Sequence, residues 1–430
     1  MSSKKKTATA KEEAKPALVP KLRFPAFRGE EGWALEAGGS LFNQINDRNP
    51  KPGLPVLAIT QEHGAIPRHM IDYHVSVTEK SLGSYKVVRV GDFIISLRSF
   101  QGGIEYSRYH GICSPAYVIL RRRGEGSDEY FRHYLKTDRF IRILTKNLEG
   151  LRDGKMISYA QFSDLMLPVP KPTEQQRIAE CLSSVDGVIA AQARKLDVLK
   201  SHKKGLMQQL FPRKGETQPR LRFPEFQNAG EWVARRVDER GEVLAGKALA
   251  VNAPGQLRPY LRTKNVLDGA IDLSDMLTMP MTDAEFSRFE ILDKDILLNE
   301  GQSLELVGRA SLYRGEFGGR CAMQNQLLRF RSFPSTCPEF AAQVFRKCQK
   351  DGTFAGIATK TTSVAHLGSS RFSALELAWP PTLPEQQRIA SCLSSLDALI
   401  TAETQNLEAI KTHKKGLMQK LFPSSEEVNA

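Results

Sequence analysis

One stretch of this chain is written twice. Residues 174–212 read EQQRIAECLSSVDGVIAAQARKLDVLKSHKKGLMQQLFP, and residues 385–423 match them at 25 of 39 positions without a gap. Two unrelated helices would not share that much sequence. The duplication therefore divides the 430-residue chain into two globular modules, each followed by one copy of the repeated stretch.

Each copy has the apolar spacing of a long coiled-coil helix. Leucine, isoleucine and valine recur in alternating steps of three and four residues, a heptad pattern that suits a partner helix. Phe211-Pro212 and Phe422-Pro423 are expected to end the two helices. The predicted seam residues are Ile178, Leu182, Val185, Ile189, Leu196, Leu199, Leu206 and Leu210 in the first copy and Ile389, Leu393, Leu396, Ile400, Leu407, Ile410, Leu417 and Leu421 in the second.

The two copies are predicted to pair with each other in antiparallel direction. One lysine in each copy, Lys203 or Lys414, falls in the seam, and a parallel pair in register would place these like charges side by side. Antiparallel pairing separates them. The alternative is that each helix packs only on its own module. The ion pairs expected from antiparallel pairing are Asp186–Lys411 and Asp397–Lys200, each worth about 0.2–1 kcal/mol if exposed.

Both modules are predicted to have an α+β fold. Each opens with the same phrase, LRFPAF at Leu22 or LRFPEF at Leu221, followed eleven residues later by Trp33 or Trp232. Short apolar runs bounded by turns are typical of strands, and apolar residues three and four apart are typical of helices. The predicted strand regions are 87–97, 117–123, 290–300 and 325–331, and the predicted helical regions are 129–147 and 339–354.

These patterns give the expected domain limits. The Lys/Ala/Thr-rich start has little to bury, so a disordered basic tail is expected there. The predicted divisions are the tail at 1–20, the first module at 21–170, the first helix at 171–212, the second module at 213–380, the second helix at 381–423 and a short tail at 424–430.

Composition narrows the classes of function. The net charge is +13 and both modules are mildly basic, which fits a polyanionic partner. The six cysteines have no CxxC or Cys/His metal spacing, so we expect reduced thiols in a cytoplasmic protein and no metal site. There is no apolar run of the ~18 residues that a membrane span needs, and no GxxxxGK[ST] loop for ATP.

One motif invites an enzymatic interpretation. Ser114–Tyr117 reads SPAY, close to the [DNS]PP[YF] box of amino-methyltransferases, whose aromatic residue stacks on a flipped base. Ala116 replaces the second proline and no glycine-rich cofactor loop precedes the motif. A methyltransferase site is therefore disfavoured.

The duplicated borders resemble a known family. The LRFPxF openings, the PxEQQRIA segments and the KKGLMQ helix ends, each present twice, strongly resemble the specificity subunit of type I restriction-modification systems. The resemblance covers about residues 21–423. It implies two target-recognition domains, each reading half of an asymmetric, split site in double-stranded DNA, with the helices as an antiparallel spacer.

The resemblance also implies partners. Two methylation subunits would dock on the chain, and restriction subunits would complete the complex. The chain itself would be non-catalytic, with S-adenosylmethionine and ATP bound by the partner subunits only. The alternative is a coiled-coil adaptor that joins two protein-binding modules without DNA sequence specificity.

Candidate DNA contacts follow from residue type. Arginine and lysine suit guanine, asparagine and glutamine suit adenine, and basic or hydroxyl side chains bind phosphate. For each candidate, a solvated surface role is the alternative. The candidates are Arg98, Ser99, Gln101, Arg108, Arg152, Lys155 and Ser158 in the first module and Asn299, Gln302, Arg309, Arg314, Gln324, Asn325, Lys360, Thr361, Thr362 and Ser363 in the second. Arg121, Arg122 and Arg123 are weaker candidates for phosphate contact.

Several apolar residues of the repeated helices fall outside the seam. They are expected either to receive the methylation subunits or to pack on the adjoining module. These residues are Val188, Met207, Phe211, Leu399, Met418 and Phe422.

Overall fold

The structure, a computed structural model, describes residues 18–71, 82–146, 157–213, 215–248, 253–361 and 363–423. The chain forms two compact units: unit 1 comprises residues 1–193 and 406–430, and unit 2 comprises residues 194–405. The division falls inside both repeated helices, so each unit contains one module and half of each helix. Among the described helices, none combines the length and the hydropathy that a bilayer-spanning segment requires.

Unit 1 consists of short strands and helices that precede the first repeated helix. Its strands are Ala34–Ala37, Phe42–Ile45, Leu57–Thr60, Gly64–Pro67, Lys86–Val88, Phe93–Ile95, Glu105–Tyr106, Gly111–Cys113, Val118–Arg122 and Met166–Val169. Its α-helices within the module are Gly38–Leu41, Ser99–Gly102, Asp128–Tyr134, Asp138–Lys146 and Tyr159–Ser163, with 3-10 turns at Pro25–Phe27 and Arg68–Met70.

Unit 2 also consists of short strands and helices that precede a repeated helix. Its strands are Val233–Arg236, Gly241–Ala245, Gln256–Leu261, Leu277–Met281, Ile296–Asn299, Gly301–Gln302, Ala310–Leu312, Ala322–Met323, Leu327–Ser332, Thr359–Lys360, Ala365–His366 and Glu376–Trp379. Its α-helices within the module are Asp283–Phe289, Pro338–Lys350, Thr353–Ile357 and Ser369–Ala374, with 3-10 turns at Pro224–Phe226 and Val237–Glu239.

A four-stranded antiparallel sheet forms the centre of each unit, and the strand order is the same in both. The order is Phe42–Ile45, Val118–Arg122, Phe93–Ile95, Glu105–Tyr106 in unit 1 and Gly241–Ala245, Leu327–Ser332, Ile296–Asn299, Ala310–Leu312 in unit 2. Helix Asp128–Tyr134 or Pro338–Lys350 packs its buried side against this sheet through the apolar core. The prediction of two tandem α+β modules is confirmed.

The predicted helix 129–147 is interrupted. The structure has one helix at Asp128–Tyr134 and a second at Asp138–Lys146. Thr137 separates them, because its hydroxyl accepts a hydrogen bond from the Phe140 amide (3.2 Å), an interaction that caps a new helix start. The apolar spacing alone does not reveal this break.

The last three residues of the predicted disordered tail, 18–20, belong to the described part of the chain. Leu18 is buried, and its carbonyl oxygen accepts a hydrogen bond from the Trp33 amide at 2.7 Å. The expectation of disorder over 1–20 is therefore wrong for residues 18–20, because Leu18 adds an apolar side chain to the core of unit 1. Residues 1–17 lie outside the described part of the chain.

Each repeated stretch forms one uninterrupted 39-residue helix. We call Pro172–Leu210 coil helix 1 and Leu383–Leu421 coil helix 2. In unit 1, Asp186 near the start of coil helix 1 contacts Lys414 near the end of coil helix 2. In unit 2, Asp397 contacts Lys203 in the same way. The start of one helix thus lies beside the end of the other in both units, so the predicted antiparallel pairing is confirmed.

The predicted seam positions are all removed from full solvent exposure. Each of the sixteen is buried or half-buried, and the buried ones recur toward both ends of each helix. Lys203, which the heptad pattern also places in the seam, keeps only 8% of its side chain exposed. The coil therefore contains a charged residue that needs a counterion.

The ion pairs predicted across the coil are wrong by one helical turn. Asp186 pairs with Lys414, not Lys411, and Asp397 pairs with Lys203, each at 2.5 Å. The two seam lysines themselves reach the carboxylates, because a largely buried ammonium group is stable only beside an anion. The predicted partner of Asp397, Lys200, is exposed.

The apolar residues outside the seam divide into two groups. Met207 and Phe211 join the core of unit 2, and Met418 and Phe422 pack against the core of unit 1. Phe211 stacks on Phe340, with ring centroids 5.6 Å apart. These four therefore fasten the end of each coil helix to a module. The remaining two, Val188 and Leu399, stay 51% and 40% exposed.

A buried ion pair locks the start of each module to the start of its coil helix. The guanidinium of Arg23 donates two hydrogen bonds to the Glu174 carboxylate, both at 2.8 Å, and Arg222 does the same to Glu385 at the same distances. In both pairs the side chains are at most 7% exposed. The repeated LRFP and EQQR phrases thus meet as one structural element, which we call the Arg–Glu lock.

The glutamine after each lock glutamate ties a second element to the coil. Gln175 Oε1 accepts a hydrogen bond from the Ser127 amide at 3.0 Å, and Gln386 Oε1 accepts one from the Cys337 amide at 2.9 Å. Each of these amides immediately precedes the helix that packs on the central sheet. The frame around the sheet is therefore the same in both units.

Candidate nucleic-acid interface

The central sheet of unit 2 separates the candidate residues into two groups. Strand Ile296–Asn299 runs antiparallel to Ala310–Leu312, with Leu298 opposite Ala310 and Ile296 opposite Leu312. Gln302 follows the first strand at one end of the sheet. Arg314 follows the second strand and therefore lies at the opposite end, beside Lys294.

The same separation holds in unit 1. Arg98 and Gln101 follow strand Phe93–Ile95, whereas Arg108 follows the antiparallel strand Glu105–Tyr106 and lies beside Gly91. Arg108 and Arg314 thus occupy equivalent positions. The length of the sheet separates Arg108 from Arg98 and Gln101 and separates Arg314 from Gln302.

Several candidate residues of unit 2 lie on a small three-stranded sheet. Ala365 pairs with Gln302 on one side and with Lys360 on the other. Directly opposed residues of antiparallel strands point to the same face, so Gln302 and Lys360 flank the small Ala365 side chain. Thr361 and Ser363 continue the exposed turn of this hairpin. We call this group the unit 2 polar surface.

Gln324 and Asn325 lie beside the same surface. They form the turn before strand Leu327–Ser332, and both are half-buried. The carbonyl oxygen of Gln326, the next residue, accepts a hydrogen bond from the Glu300 amide at 2.8 Å, close to Gln302. Gln326 is an amide residue that the sequence analysis did not select.

In unit 1 a hairpin joins the candidate residues. Gln61, in the turn between Leu57–Thr60 and Gly64–Pro67, donates a hydrogen bond from Nε2 to the Arg98 carbonyl oxygen at 3.3 Å. Arg98 and Gln101 are exposed beside it. Gln61 was also missed, although the polar turn QEHG between two apolar runs is a recognisable hairpin signal. Gln61, Arg98 and Gln101 form the unit 1 polar surface.

Two candidates are buried and cannot reach DNA in this conformation. Ser99 is 1% exposed, and its hydroxyl accepts a hydrogen bond from the Ser96 amide at 2.9 Å. Asn299 is 0% exposed at the end of a central strand, and its Nδ2 donates to the Val266 carbonyl oxygen at 3.4 Å. Their selection is corrected, because the Ser99 hydroxyl bonds the backbone that follows a strand and the Asn299 side chain is enclosed against the loop at Val266.

Three more candidates have local partners. The Arg108 guanidinium pairs with Glu129 at 3.1 Å. Arg309 is half-buried, and its guanidinium donates a hydrogen bond to the Thr263 carbonyl oxygen at 3.5 Å. Ser158 caps helix Tyr159–Ser163 together with Gln161. These side chains are engaged in structural roles.

The basic strand end Arg121–Arg123 is also structural. Arg121 forms two hydrogen bonds to the buried Asp92, at 2.7 and 2.8 Å, as Arg331 does to Asp295 in unit 2. Arg122 pairs with Asp128, and Arg123 donates to the carbonyl oxygens of Gly39 and Ser40. These bonds hold the three guanidinium groups within unit 1, and contact with phosphate stays a weaker prediction.

Three predicted residues cannot be placed. Arg152, Lys155 and Thr362 lie outside the described residues.

Within the described ranges, there is no group of three or more His, Cys, Asp or Glu side chains that could hold a metal ion. Burial raises the pKa of Cys113 to about 12, and it raises those of Cys321 and Cys337 to about 11. These thiols are therefore neutral core groups.

The fold and the polar surfaces define a class of protein. Its members have two α+β modules with the same sheet order, and each module presents amide and basic side chains at the end of a sheet. Such side chains are those that read base edges. The chain belongs to the family of type I restriction modification DNA specificity domains, whose model matches residues 35–201 and 230–412.

Curated relatives carry the corresponding names. One is the type I restriction enzyme MjaVIII specificity subunit of Methanocaldococcus jannaschii, 24% identical over 237 residues. That match covers 53% of this chain and 52% of the relative, so the chain spans about half the length of that protein. A second is the putative MjaX specificity subunit of the same organism, 21% identical, with 86% of this chain and 87% of the relative covered.

Solved structures share the fold. The S subunit of the type I restriction-modification system from M. genitalium superposes with a TM-score of 0.55 at 13% identity, covering 95% of this chain and all of that one. A chain from a study of complex assembly and conformational transition in the type I R-M system gives a TM-score of 0.54 at 16% identity, covering 91% and 98%.

A pH-dependent contribution is expected from the coil. Burial alone would raise the pKa of Asp397, but Arg346 and Lys203 outweigh it and hold that pKa below its ordinary value. Burial and Arg346 in turn lower the pKa of Lys203, since one carboxylate serves two cations. A carboxyl with a lowered folded-state pKa contributes stability at neutral pH that is lost as pH falls through its titration.

Asp397→Asn should therefore lower the free energy of unfolding by about 1–3 kcal/mol at pH 7. The difference from the unchanged chain should shrink below about pH 4, where the carboxyl of the unfolded chain becomes protonated. Urea denaturation at both pH values measures this. Asp293→Asn, at an exposed position, is the control and should have no effect at either pH.

Proposed function

We propose that the chain is the DNA sequence-specificity subunit of a type I restriction-modification complex. Each unit reads one part of a split, asymmetric site in double-stranded DNA. The chain has no catalytic step of its own; S-adenosylmethionine and ATP are bound by methylation and restriction subunits in the cytoplasm. The coil sets the length of the gap between the two parts of the site.

The observation that carries this proposal is a repeated frame with unlike surfaces. Both units have the same sheet order and the same Arg–Glu lock. The unit 1 polar surface, however, contains an arginine and two glutamines on a hairpin and a short helix, whereas the unit 2 polar surface is a three-stranded sheet with Lys360. Two units with the same fold but different polar surfaces would recognise two different half-sites.

A second repeated surface supports two identical docking partners. Leu22 and Leu221 of the opening phrases are 37% and 42% exposed, and the prolines of the same phrases are exposed too. Arg177 and Arg388 lie over Phe24 and Phe223 at 5.5 and 4.6 Å; both cations are exposed, and they pair with Glu180 at 3.5 Å and Glu225 at 3.1 Å. Core packing does not require the exposed residues of the two phrases to be alike. Binding of two copies of one partner, the methylation subunit, would explain why these exposed residues are shared.

Methylome sequencing tests the proposal. Cells that carry this chain with its methylation subunit should show methylation at one split motif whose two parts differ. Methylation at a continuous motif, or a motif unchanged when this chain is removed, would contradict it. A gel shift with random-sequence DNA, with and without the methylation subunit, separates this function from a protein adaptor, which would not select any sequence.

The unit 2 polar surface gives a residue-level prediction. Lys360→Ala should weaken DNA binding by about three- to tenfold and reduce the salt dependence of binding, because one cation facing the phosphates is removed. Arg235→Ala is the control, since Arg235 is exposed elsewhere on the unit and pairs with Glu239. Fluorescence anisotropy of the complete methylation complex measures both. Equal losses in the two variants would remove Lys360 from the interface.

A further inference from the structure

Unit 2 contains a cleft of about 1510 Å³ between the coil and the module. Its walls come from the end of coil helix 1, from the middle of coil helix 2 and from helix Pro338–Lys350. Pockets for small ligands usually enclose about 300–1,000 Å³. The volume is therefore that of a site for a chain segment rather than for a metabolite.

The cleft has an excess of positive charge. Eight of its lining side chains are lysine or arginine and four are aspartate or glutamate. Three of the four carboxylates are already paired: Asp397 with Lys203 and Arg346, Asp268 with Arg346 and Lys350, and Asp351 with Lys347. The lining anions are thus largely neutralised by lining cations.

Four cations remain. Within the described ranges of the chain, no side-chain ion pair joins Lys200, Lys204, Arg213 or Arg314 to a carboxylate; Glu216 and Glu316 accept hydrogen bonds only from the backbone amides of Arg213 and Arg314, at 3.4 and 2.7 Å. All four are exposed. The apolar wall of the cleft consists of the half-buried Ile400 and the exposed Ala270, Ala398 and Ala402, above Met207, Phe211 and Leu312, which are buried in the core of unit 2.

The duplicated helix provides an internal comparison. The equivalents of Lys200 and Lys204 are Lys411 and Lys415 in unit 1. Lys411 pairs with Glu408 at 2.8 Å, and Lys415 pairs with Asp138 at 3.4 Å. The same lysines therefore carry acidic partners in one unit and none in the other.

We propose that the unit 2 cleft binds an acidic, amphipathic peptide segment of a protein partner. Its carboxylates pair with Lys200, Lys204, Arg213 and Arg314, and its apolar side chains cover the apolar wall. A nucleic-acid backbone matches the charge but leaves the apolar wall uncovered. This site is separate from the unit 2 polar surface, and it does not depend on the proposed reading of DNA.

The test is fluorescence anisotropy with the full chain and a labelled synthetic peptide that has glutamate on one helical face and leucine on the other. Two further peptides carry glutamine for glutamate or serine for leucine. Lys200→Gln/Lys204→Gln should weaken binding of the first peptide about five- to tenfold, the effect of two partly exposed ion pairs. The matched Lys411→Gln/Lys415→Gln chain should bind within about twofold of the unchanged chain. Circular dichroism checks that both variants are folded.

Each outcome decides the proposal. Weak binding of both altered peptides, together with a loss confined to the unit 2 variant, supports it. A second variant, Arg213→Gln/Arg314→Gln, should show a loss of similar size. The proposal fails if the first peptide does not bind, if the glutamine peptide binds equally well, or if both lysine variants lose equally. Displacement of the peptide by single-stranded oligothymidylate at lower concentration than by unlabelled peptide assigns the cleft to nucleic acid and also overturns it.

Discussion

Replacing Arg222 with methionine is expected to lower the free energy of unfolding by about 3–5 kcal/mol. The substitution leaves the Glu385 carboxylate, 1% exposed, without its two guanidinium hydrogen bonds. Its remaining side-chain donor is Trp232 Nε1 at 3.2 Å, a neutral group that does not balance the charge. A single buried anion without a counterion is among the largest penalties that one substitution causes.

The measurement is urea denaturation followed by tryptophan fluorescence. Two of the three tryptophans, Trp232 and Trp379, lie in the core of unit 2. Arg222→Lys should give an intermediate loss, because lysine keeps the charge but not the paired geometry. Arg222→Met combined with Glu385→Leu should recover much of the loss, since no buried charge then remains.

The control is Arg235→Met. Arg235 pairs with Glu239 at 3.8 Å, and both side chains are about half exposed, so the loss should not exceed about 0.5 kcal/mol. If the Arg222 and Arg235 variants lose equal stability, the lock is not a buried ion pair in solution. Arg23→Met should repeat the Arg222 result in unit 1, where Glu174 is equally buried.

Local sequence patterns predict some parts of this fold, and contacts between distant segments determine the rest. Periodicity indicates helix, strand and pairing direction because those depend on residues close in sequence or on charge symmetry. The register of the coil, by contrast, cannot be predicted from periodicity. It is fixed by contacts between distant segments, such as the Leu22 amide bonding the Lys420 carbonyl oxygen and its repeat, Leu221 with Gln209, both at 2.9 Å. The predicted ion pairs consequently missed by one turn.

The candidate interface shows the same division. Residue type selected Gln302 and Lys360, which the structure places half-buried and exposed on one small sheet of unit 2; their contact with DNA stays a prediction. It also selected Asn299, which is buried as the last residue of a central strand. Gln61 was missed because its hydrogen bond to Arg98 joins residues 37 positions apart. Exposure and long-range neighbours are properties of the folded chain that no local pattern contains.

Inserting one heptad into each coil helix is expected to lengthen the gap in the recognised DNA site. The insertions belong between Ala193 and Arg194 and between Asn406 and Leu407. Ala193 and Leu407 are each seven residues from a member of the Asp186–Lys414 pair, so the two points lie opposite each other in the antiparallel register. Both helices run unbroken through these points. The locks and polar surfaces of both units remain untouched.

Seven helical residues add about 10 Å, which corresponds to at most about three base pairs. A whole heptad keeps the seam continuous, so the lengthened helices can still pair. Methylome sequencing should return the same two half-sites with a longer gap. The control places the heptad in coil helix 1 alone, which shifts the seam against its partner and should abolish methylation. An unchanged gap in the doubly lengthened chain would show that the loops of the two units, and not the coil, determine the spacing of the half-sites.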